Sequence, residues 1–223
     1  DRVVDIQHIA REVVVDPAAH TVAGTGALRA AALAPAATVA FAAVALALGS
    51  VTTNGRPAPF RHDGKKLRVE LPAAIQPGAE LVLAIAYKGS PRRGLYFIGP
   101  DEGYPRKPVQ VWSQGQDEDS RYWFPCFDSP NEKATSEVKV TVPAGMFAVS
   151  NGVLVSDKIT GDKRTVHWRL DVPHSAYLVT LAIADFAAVE TAWHEVPVVF
   201  YAQRGQEAAA ERTLARTPEM LEL

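Results

Sequence analysis

The sequence predicts an all-β, sandwich-type domain that ends in a short C-terminal helical segment. Three observations support this fold class: apolar residues alternate with polar ones along many short runs, turn dipeptides separate the runs, and helix-forming residues cluster only near the end. The chain has 223 residues, of which 48% are hydrophobic, enough for one large domain or one domain plus part of another.

The alternating runs are the strongest strand signal, because side chains in a strand point to opposite faces in turn. We expect Tyr177 to Ile183, apolar on both faces except at Thr180, to be a central strand, and we expect Phe127 and Cys126 to be buried. Three runs place the residues of one face at every second position: Ile9, Arg11, Val13 and Val15; Val138, Val140 and Val142; Val166, Trp168, Leu170 and Val172.

Turn dipeptides fall between the runs, and they favour a sandwich of short strands over a helical fold. They are Asn54-Gly55, Asp63-Gly64, Pro77-Gly78, Asn151-Gly152 and Gly161-Asp162.

The apolar run from Ala30 to Leu48 has about the length of a membrane span. Most of it is alanine, and Pro35 interrupts it. Its larger apolar residues lie two apart in two groups, with one slip between them as a β-bulge gives. We therefore interpret the run as a buried, alanine-rich strand and expect no membrane span.

The amino-acid composition changes after Arg204. Gln206 to Arg216 is rich in Ala, Glu and Arg, which favour helix. Thr217 followed by Pro218 resembles an N-cap and a first-turn proline. We predict a β-domain over residues 1–204, and a second domain that starts with helices over residues 205–223.

Charge and cysteine content exclude several function classes. The formal net charge of −2 gives no reason to expect nucleic acid or an anionic membrane as a partner. The single cysteine, Cys126, excludes an internal disulfide and suits a reducing compartment, so we expect a cytoplasmic protein. No signal peptide is visible, although a removed one leaves no trace.

No metal or nucleophile site is evident from spacing. His194-Glu195 begins like a zinc-peptidase His-Glu-x-x-His, but Val198 occupies the second histidine position. Cys126 lies among apolar residues, as a buried thiol does. Asp117 to Asp119 could suggest calcium, but Arg121 occupies the position of the next oxygen ligand and the turn has no glycine, so we expect a solvated loop that pairs with Arg121.

Four blocks in order resemble the M1 (aminopeptidase N-like) family of zinc aminopeptidases. The longest, Val111 to Thr135, reads VWSQGQDEDSRYWFPCFDSPNEKAT and resembles the family's Gln-x-Glu/Gln turn and Phe-Pro-Cys-Phe-Asp-x-Pro core. The others are Gly94 to Phe97, Ala148 to Leu154 (AVSNGVL), and Tyr177-Leu178 with Ala182 to Phe186.

The resemblance implies a saddle-shaped, multi-stranded amino-terminal β-domain that precedes a thermolysin-like zinc domain. The zinc ligands of the full-length protein, His-Glu-x-x-His and a distal Glu, have no counterpart in these 223 residues. The implied partners are the catalytic domain of the same chain and the N-terminus of a peptide substrate. This chain alone is expected to hydrolyse nothing.

The resemblance also implies a substrate-binding turn at Gln114, Gly115 and Gln116. In the family, this turn helps bind the free α-ammonium of the substrate. An ammonium offers three donors and needs oxygen acceptors. Many relatives have glutamate where Gln116 stands, and a neutral amide binds a cation less strongly than a carboxylate does.

Two alternatives to an aminopeptidase domain remain. The first is a non-catalytic M1-like scaffold that serves protein interactions. The second is an unrelated β-sandwich module that uses Tyr122, Trp123 and Phe124 as a carbohydrate platform, although their apolar surroundings favour core packing.

Overall fold

The computed structural model describes residues 2–222 and is built mainly of strands. In chain order the strands are β1 (Val4–Asp16), β2 (Thr21–Ala32), β3 (Ala36–Ala42), β4 (Ala47–Thr53), β5 (Arg56–Pro57), β6 (Phe60–His62), β7 (Lys66–Ile75), β8 (Glu80–Gly89), β9 (Leu95–Ile98), β10 (Gln110–Ser113), β11 (Lys133–Pro143), β12 (Phe147–Ser150), β13 (Val153–Thr160), β14 (Lys163–Ser175), β15 (Leu181–Ala184), β16 (Phe186–Trp193) and β17 (Val196–Gln203). The helices are α1 (Glu207–Leu214) and α2 (Thr217–Leu221), with 3₁₀ turns at Ser120–Tyr122 and Ala176–Leu178. The all-β prediction with a short C-terminal helical segment is confirmed.

The largest sheet contains eight strands in the order β13-β14-β11-β1-β2-β8-β4-β5. All its neighbours are antiparallel except β1 and β11, which run parallel. Because parallel neighbours cannot be joined by a tight turn, the connection between β1 and β11 is long and contains β2 to β10. Residues 2–222 also form three smaller sheets. These are a four-stranded sheet (β12-β15-β10-β9), a three-stranded sheet (β3-β7-β6) and the hairpin β16-β17.

Alternation along β1 and β11 is confirmed. Ile9, Arg11, Val13 and Val15 are all buried, and so are Val138, Val140 and Val142. Across the outer face of the same sheet, the Glu137 carboxylate accepts hydrogen bonds from His167 Nε2 at 2.8 Å and His8 Nε2 at 3.3 Å. This carboxylate therefore links three neighbouring strands.

Burial on β14 differs from the prediction. Val166 and Trp168 are buried, but Leu170 is half-buried and Val172 is exposed. The register with β11 shifts between Ala134 and Ser136, and the pairing with β13 stops at Arg169, so the end of the strand leaves the core. Cys126 is buried as expected, whereas Phe127 is only half-buried.

Two predicted strands are divided in the structure. The Tyr177–Ile183 segment contains the end of a 3₁₀ turn, and only Leu181–Ala184 forms a strand, which is central in its sheet. The Ala30–Leu48 run covers the end of β2, all of β3 and the start of β4. The slip in its pattern is therefore a break between strands near Ala45, whose φ is 55°, and not a bulge.

Aromatic residues fill the space between the large and three-stranded sheets. Trp123, Phe124 and Phe41 are fully buried, and Cys126 forms a β-bridge with Ala42. None of the helices among residues 2–222 is long and apolar enough to cross a membrane.

The C-terminal helices pack on the hairpin β16-β17, where Glu222 accepts a hydrogen bond from Trp193 Nε1 at 2.8 Å and pairs with His194 Nε2 at 2.6 Å. Residue Thr217 is the first helical residue of α2 and not its N-cap, which is Arg216. His194 lies in the turn between β16 and β17, whereas the His-Glu-x-x-His motif needs its histidines on a helix.

Candidate functional site

The substrate-binding turn suggested by the resemblance is a surface loop between β10 and the 3₁₀ turn at Ser120–Tyr122. Its entry is fixed by a hydrogen bond from Gln114 N to Gly94 O at 3.0 Å. Its exit is fixed by a bond from Asp119 N to Gly115 O at 2.9 Å. The loop thus has a defined backbone path at both ends.

Gly115 is buried at the base of this loop. A Cβ atom at this position would lie 2.6 Å from Tyr177 O and 2.8 Å from Ser120 Oγ. Both distances are shorter than van der Waals contact, so packing of the loop on its own chain requires glycine here.

Gln114 and Gln116 flank this glycine, and both are exposed. The Gln114 side-chain oxygen accepts a hydrogen bond from Gln116 N at 3.2 Å, which closes the turn. The Gln116 carboxamide makes no hydrogen bond to any residue from 2 to 222, and it is available for an external partner. The two glutamines therefore differ: the Gln114 side chain is engaged within the loop, and the Gln116 side chain is exposed to solvent.

Arg121 forms ion pairs with two carboxylates next to the loop, those of Asp128 and Glu118. Asp128, whose side chain is 1% exposed, accepts hydrogen bonds from Arg121 Nε at 2.9 Å and Arg121 N at 3.1 Å. Arg121 Nη2 also donates to Glu118 at 2.6 Å, which confirms the expected pairing of the acidic loop. Burial raises the pKa of Asp128, and the hydrogen bonds from Arg121 oppose this rise.

Sequence reasoning missed two features beside the loop. Arg93 forms an ion pair with Asp119 at 3.0 Å and lies over the Tyr122 ring, 5.0 Å from its centroid. Tyr96 and Trp112, cross-strand partners on β9 and β10, stack at 4.7 Å, and Trp112 is 41% exposed. The sequence signal for Trp112 is its position next to Val111: adjacent strand residues point to opposite faces, so a buried Val111 leaves Trp112 on the exposed face.

The structure argues against two other sites considered from the sequence. Trp123 and Phe124 are fully buried, so the carbohydrate platform is wrong. Cys126 is also buried, and burial raises the pKa of its thiol well above the ordinary value, unlike that of a reactive cysteine. Within residues 2–222, no three His, Cys, Asp or Glu side chains are arranged to hold a metal ion.

The structure is thus a many-stranded β-domain with an exposed polar loop beside its four-stranded sheet. The sequence matches the Peptidase M1 N-terminal domain over residues 8–178. The chain therefore belongs to the M1 peptidase family, as its amino-terminal domain.

The sequence relatives include a transcription factor subunit and an aminopeptidase. Transcription initiation factor TFIID subunit 2 of Gallus gallus is 41% identical over 111 residues, which cover 48% of this chain and 10% of the relative. Aminopeptidase B of Rattus norvegicus is 29% identical over 165 residues, covering 70% of this chain and 24% of the relative. The chain thus spans a small part of the length of these relatives.

Solved structures share the fold. An M1 zinc metallopeptidase from Deinococcus radiodurans, bound to a Tyr-Ser-Ala substrate, superposes with a TM-score of 0.82 at 22% identity, over 99% of this chain and 52% of that one. A two-domain M1 zinc metallopeptidase bound to L-arginine gives a TM-score of 0.77 at 22% identity, covering 96% of this chain and 54% of that one. These structures show the fold, and the chain spans about half of their length.

Proposed function

We propose that this chain is the amino-terminal domain of a zinc-dependent aminopeptidase, and that Gln116 helps to receive the α-ammonium group of the peptide substrate. The observation that carries the proposal is the arrangement of the loop. Its backbone is fixed by Gly115 and by the Gln114 side chain, while the Gln116 carboxamide is exposed and unpaired within residues 2–222.

The chemistry suits an amine ligand. The carboxamide oxygen of Gln116 is a neutral acceptor, and its hydrogen bond to a cationic donor should contribute about 1–2 kcal/mol, where the ranges for neutral and charged pairs meet. The neighbouring carboxylate of Glu118 is bound by Arg121, and that of Asp119 by Arg93, so both acids are partly neutralised. Gln116 therefore lies as an uncharged acceptor among acidic residues, of which the adjacent Asp117 has no ion-pair partner within residues 2–222.

Zinc is implied by the neighbouring structures, but the residues described here do not fit it. We infer that another domain of the parent supplies the zinc ligands and the bond-breaking chemistry, that residues 205–222 begin that domain, and that this chain alone cleaves no peptide. The contribution of this chain is to present an ordered loop to the substrate N-terminus.

A second candidate is a non-catalytic M1-like scaffold in a protein assembly. It is favoured by the 41% identity to a transcription initiation factor subunit, which exceeds the 29% identity to aminopeptidase B. The match covers less of this chain, 48% against 70%. Activity of the full-length parent on aminoacyl substrates separates the two candidates.

Gln116→Ala in the full-length parent is the test of the loop. We expect kcat/KM for substrates with a free amine to fall about five- to thirtyfold, the effect of about 1–2 kcal/mol of lost hydrogen bonding. Gln116→Glu should preserve or raise kcat/KM, because a carboxylate binds a cation more strongly.

Gln76→Ala is the matched control, since Gln76 is exposed in a remote turn. It should leave kcat/KM unchanged, and the Tm of all three variants should equal that of the wild type. Full kcat/KM in Gln116→Ala, or a loss explained by unfolding, contradicts the role of Gln116. A parent with no aminopeptidase activity supports the scaffold instead.

A further inference from the structure

The four-stranded sheet β12-β15-β10-β9 is hydrophobic or aromatic on both of its faces. In that order its strands read FAVS, LAIA, QVWS and LYFI, and the only polar residues in them are Gln110, Ser113 and Ser150. A sheet with one face in water alternates apolar and polar residues, whereas strands that are buried on both faces are apolar throughout. The composition of this sheet therefore predicts a covering layer on each face.

One face of the sheet already lies in the core. Val111 is in register with Phe97 on β9 and with Ile183 on β15, and Ile183 is in register with Ala148 on β12. Val111, Ile183 and Ala148 are buried, and Phe97 is half-buried. This face needs no further partner.

The opposite face carries a row of four side chains, Tyr96, Trp112, Ala182 and Val149, here called the outer row. Trp112 is in register with Tyr96 on one side and with Ala182 on the other, and Ala182 is in register with Val149. The rings of Trp112 and Tyr96 stack with their centroids 4.7 Å apart. The other three residues are half-buried, whereas Trp112 is 41% exposed. The outer row is therefore least covered at Trp112.

The hairpin β16-β17 covers the far end of the same face. Phe147 lies two residues before Val149 on β12 and thus on the same face, and its ring stacks on Tyr201 of β17 at 5.5 Å. Phe186 of β16 packs edge-on against Tyr201, with centroids 6.1 Å apart. Phe147 and its register partner Ala184 are both buried. Cover by the hairpin therefore distinguishes the buried end of this face from the end at Trp112.

The chain runs from this hairpin directly into α1 and α2, which pack on it. Under the proposed function these helices begin the domain that supplies the zinc ligands, and the inference drawn here rests on that proposal. The M1 metallopeptidase bound to Tyr-Ser-Ala is about twice as long, since this chain covers 52% of it. A layer that starts with the hairpin and continues in the following domain would extend over the rest of the same face.

We propose that the outer row docks against the domain that follows this chain in the parent protein, with Trp112 as its anchor. A tryptophan that is exposed on a sheet and stacked on a tyrosine has the composition and the preorganisation of an interface hot spot. Trp112 also lies four residues before Gln116 on the same segment. Docking at Trp112 therefore fixes where the Gln114–Gln116 loop lies in the parent.

Hydroxyl-radical footprinting with mass spectrometry measures this contact without a substitution. It oxidises exposed aromatic side chains, and it is applied to the 223-residue chain and to the full-length parent. We expect Trp112 to be oxidised about tenfold more slowly in the parent, because its exposure falls from 41% to that of an interface centre. Tyr104, 70% exposed on the loop between β9 and β10, is the control and should react at similar rates in both proteins. Equal rates for Trp112 overturn the proposal.

Trp112→Gln gives a second test through stability. The Tm of the parent should fall by at least about 2 °C more than the Tm of the 223-residue chain, since the stack on Tyr96 is lost in both proteins but the interface contact only in the parent. Val172→Gln removes another exposed apolar side chain, on β14, and should change the two Tm values by similar amounts. Equal falls for Trp112→Gln contradict the docking.

A second copy of the chain is the alternative occupant of this face. In that case Trp112 of the 223-residue chain becomes protected as the protein concentration rises and sedimentation shows a dimer, and this result overturns the proposal. Neither test depends on catalysis, so docking and the proposed function fail separately. An exposed Trp112 in an active parent refutes the docking alone. A protected Trp112 in a parent without peptidase activity supports the docking and refutes the aminopeptidase.

Discussion

Arg121→Met removes the positive charge that holds the base of the Gln114–Gln116 loop. The Asp128 side chain, 1% exposed, would lose the Nε donor at 2.9 Å and keep only the backbone donor Arg121 N at 3.1 Å. Removing one partner of a buried ion pair costs about 3–5 kcal/mol, because the other charge stays buried.

The lower end of this range applies, since the Arg121 side chain is 26% exposed and water can partly replace it. A loss of about 3 kcal/mol corresponds to a fall in Tm of about 6–12 °C for a chain of this size. Urea denaturation of the 223-residue chain at pH 7 measures the free energy of unfolding directly.

The pH dependence has a definite sign. The pKa of Asp128 is raised in the fold by burial, and loss of Arg121 raises it further. A carboxyl with a raised pKa contributes stability that is present below its unfolded pKa of about 3.9 and is lost as the pH rises through the folded pKa. The difference between Arg121→Met and wild type should therefore be larger at pH 7 than near pH 4.

Two variants control this prediction. Arg121→Met combined with Asp128→Asn should recover more than half of the lost free energy, because an amide needs no counter-ion. Glu118→Gln should cost less than about 1 kcal/mol, since its carboxylate is 51% exposed. A loss below about 1 kcal/mol in Arg121→Met, or no recovery in the double variant, refutes the reasoning.

Two further predictions concern stability. Gly115→Ala should lower the free energy of unfolding by about 1–3 kcal/mol, because its Cβ would lie 2.6 Å from a backbone oxygen, while Gly145→Ala should change it little in the same urea denaturation experiment. Glu137 has a pKa below its ordinary value: burial raises it, but hydrogen bonds from His167 and His8 lower it more. Its contribution to stability is present above its unfolded pKa of about 4.3 and is lost as the pH falls through the lower folded pKa, so Glu137→Gln should flatten the fall in urea midpoint between about pH 5 and pH 3. An unchanged midpoint profile in Glu137→Gln would show that the two histidines do not hold this carboxylate.

Period-two alternation predicted three adjacent strands of the large sheet, β1, β11 and β14, because it reflects one physical fact. A strand between core and solvent buries every second side chain, as in β1 and β11. The prediction failed where burial depends on where neighbouring strands stop, as at Val172, or where side chains such as Asn151 replace backbone partners, as at Thr180 N. Such contacts are distant in sequence and leave no periodic signal.

The position of the candidate loop could also be predicted, since Gln114, Gly115 and Gln116 are contiguous and lie in a recognisable motif. Their separate roles could not. That Gly115 packs on Tyr177 depends on residues about sixty positions apart meeting at one place. Nor does the sequence reveal that Gln114 is occupied within the loop.

Arg11 shows which property of a residue follows from the sequence and which follows only from the tertiary structure. The sequence by itself determined that Arg11 shares a face with Ile9, Val13 and Val15, because alternation depends only on the chain. Only the tertiary structure decided that this face is closed over by Trp123 and Phe124, with Gly26 opposite. Whether a charge is hydrated or buried depends on the elements packed against it, and these come from distant parts of the chain.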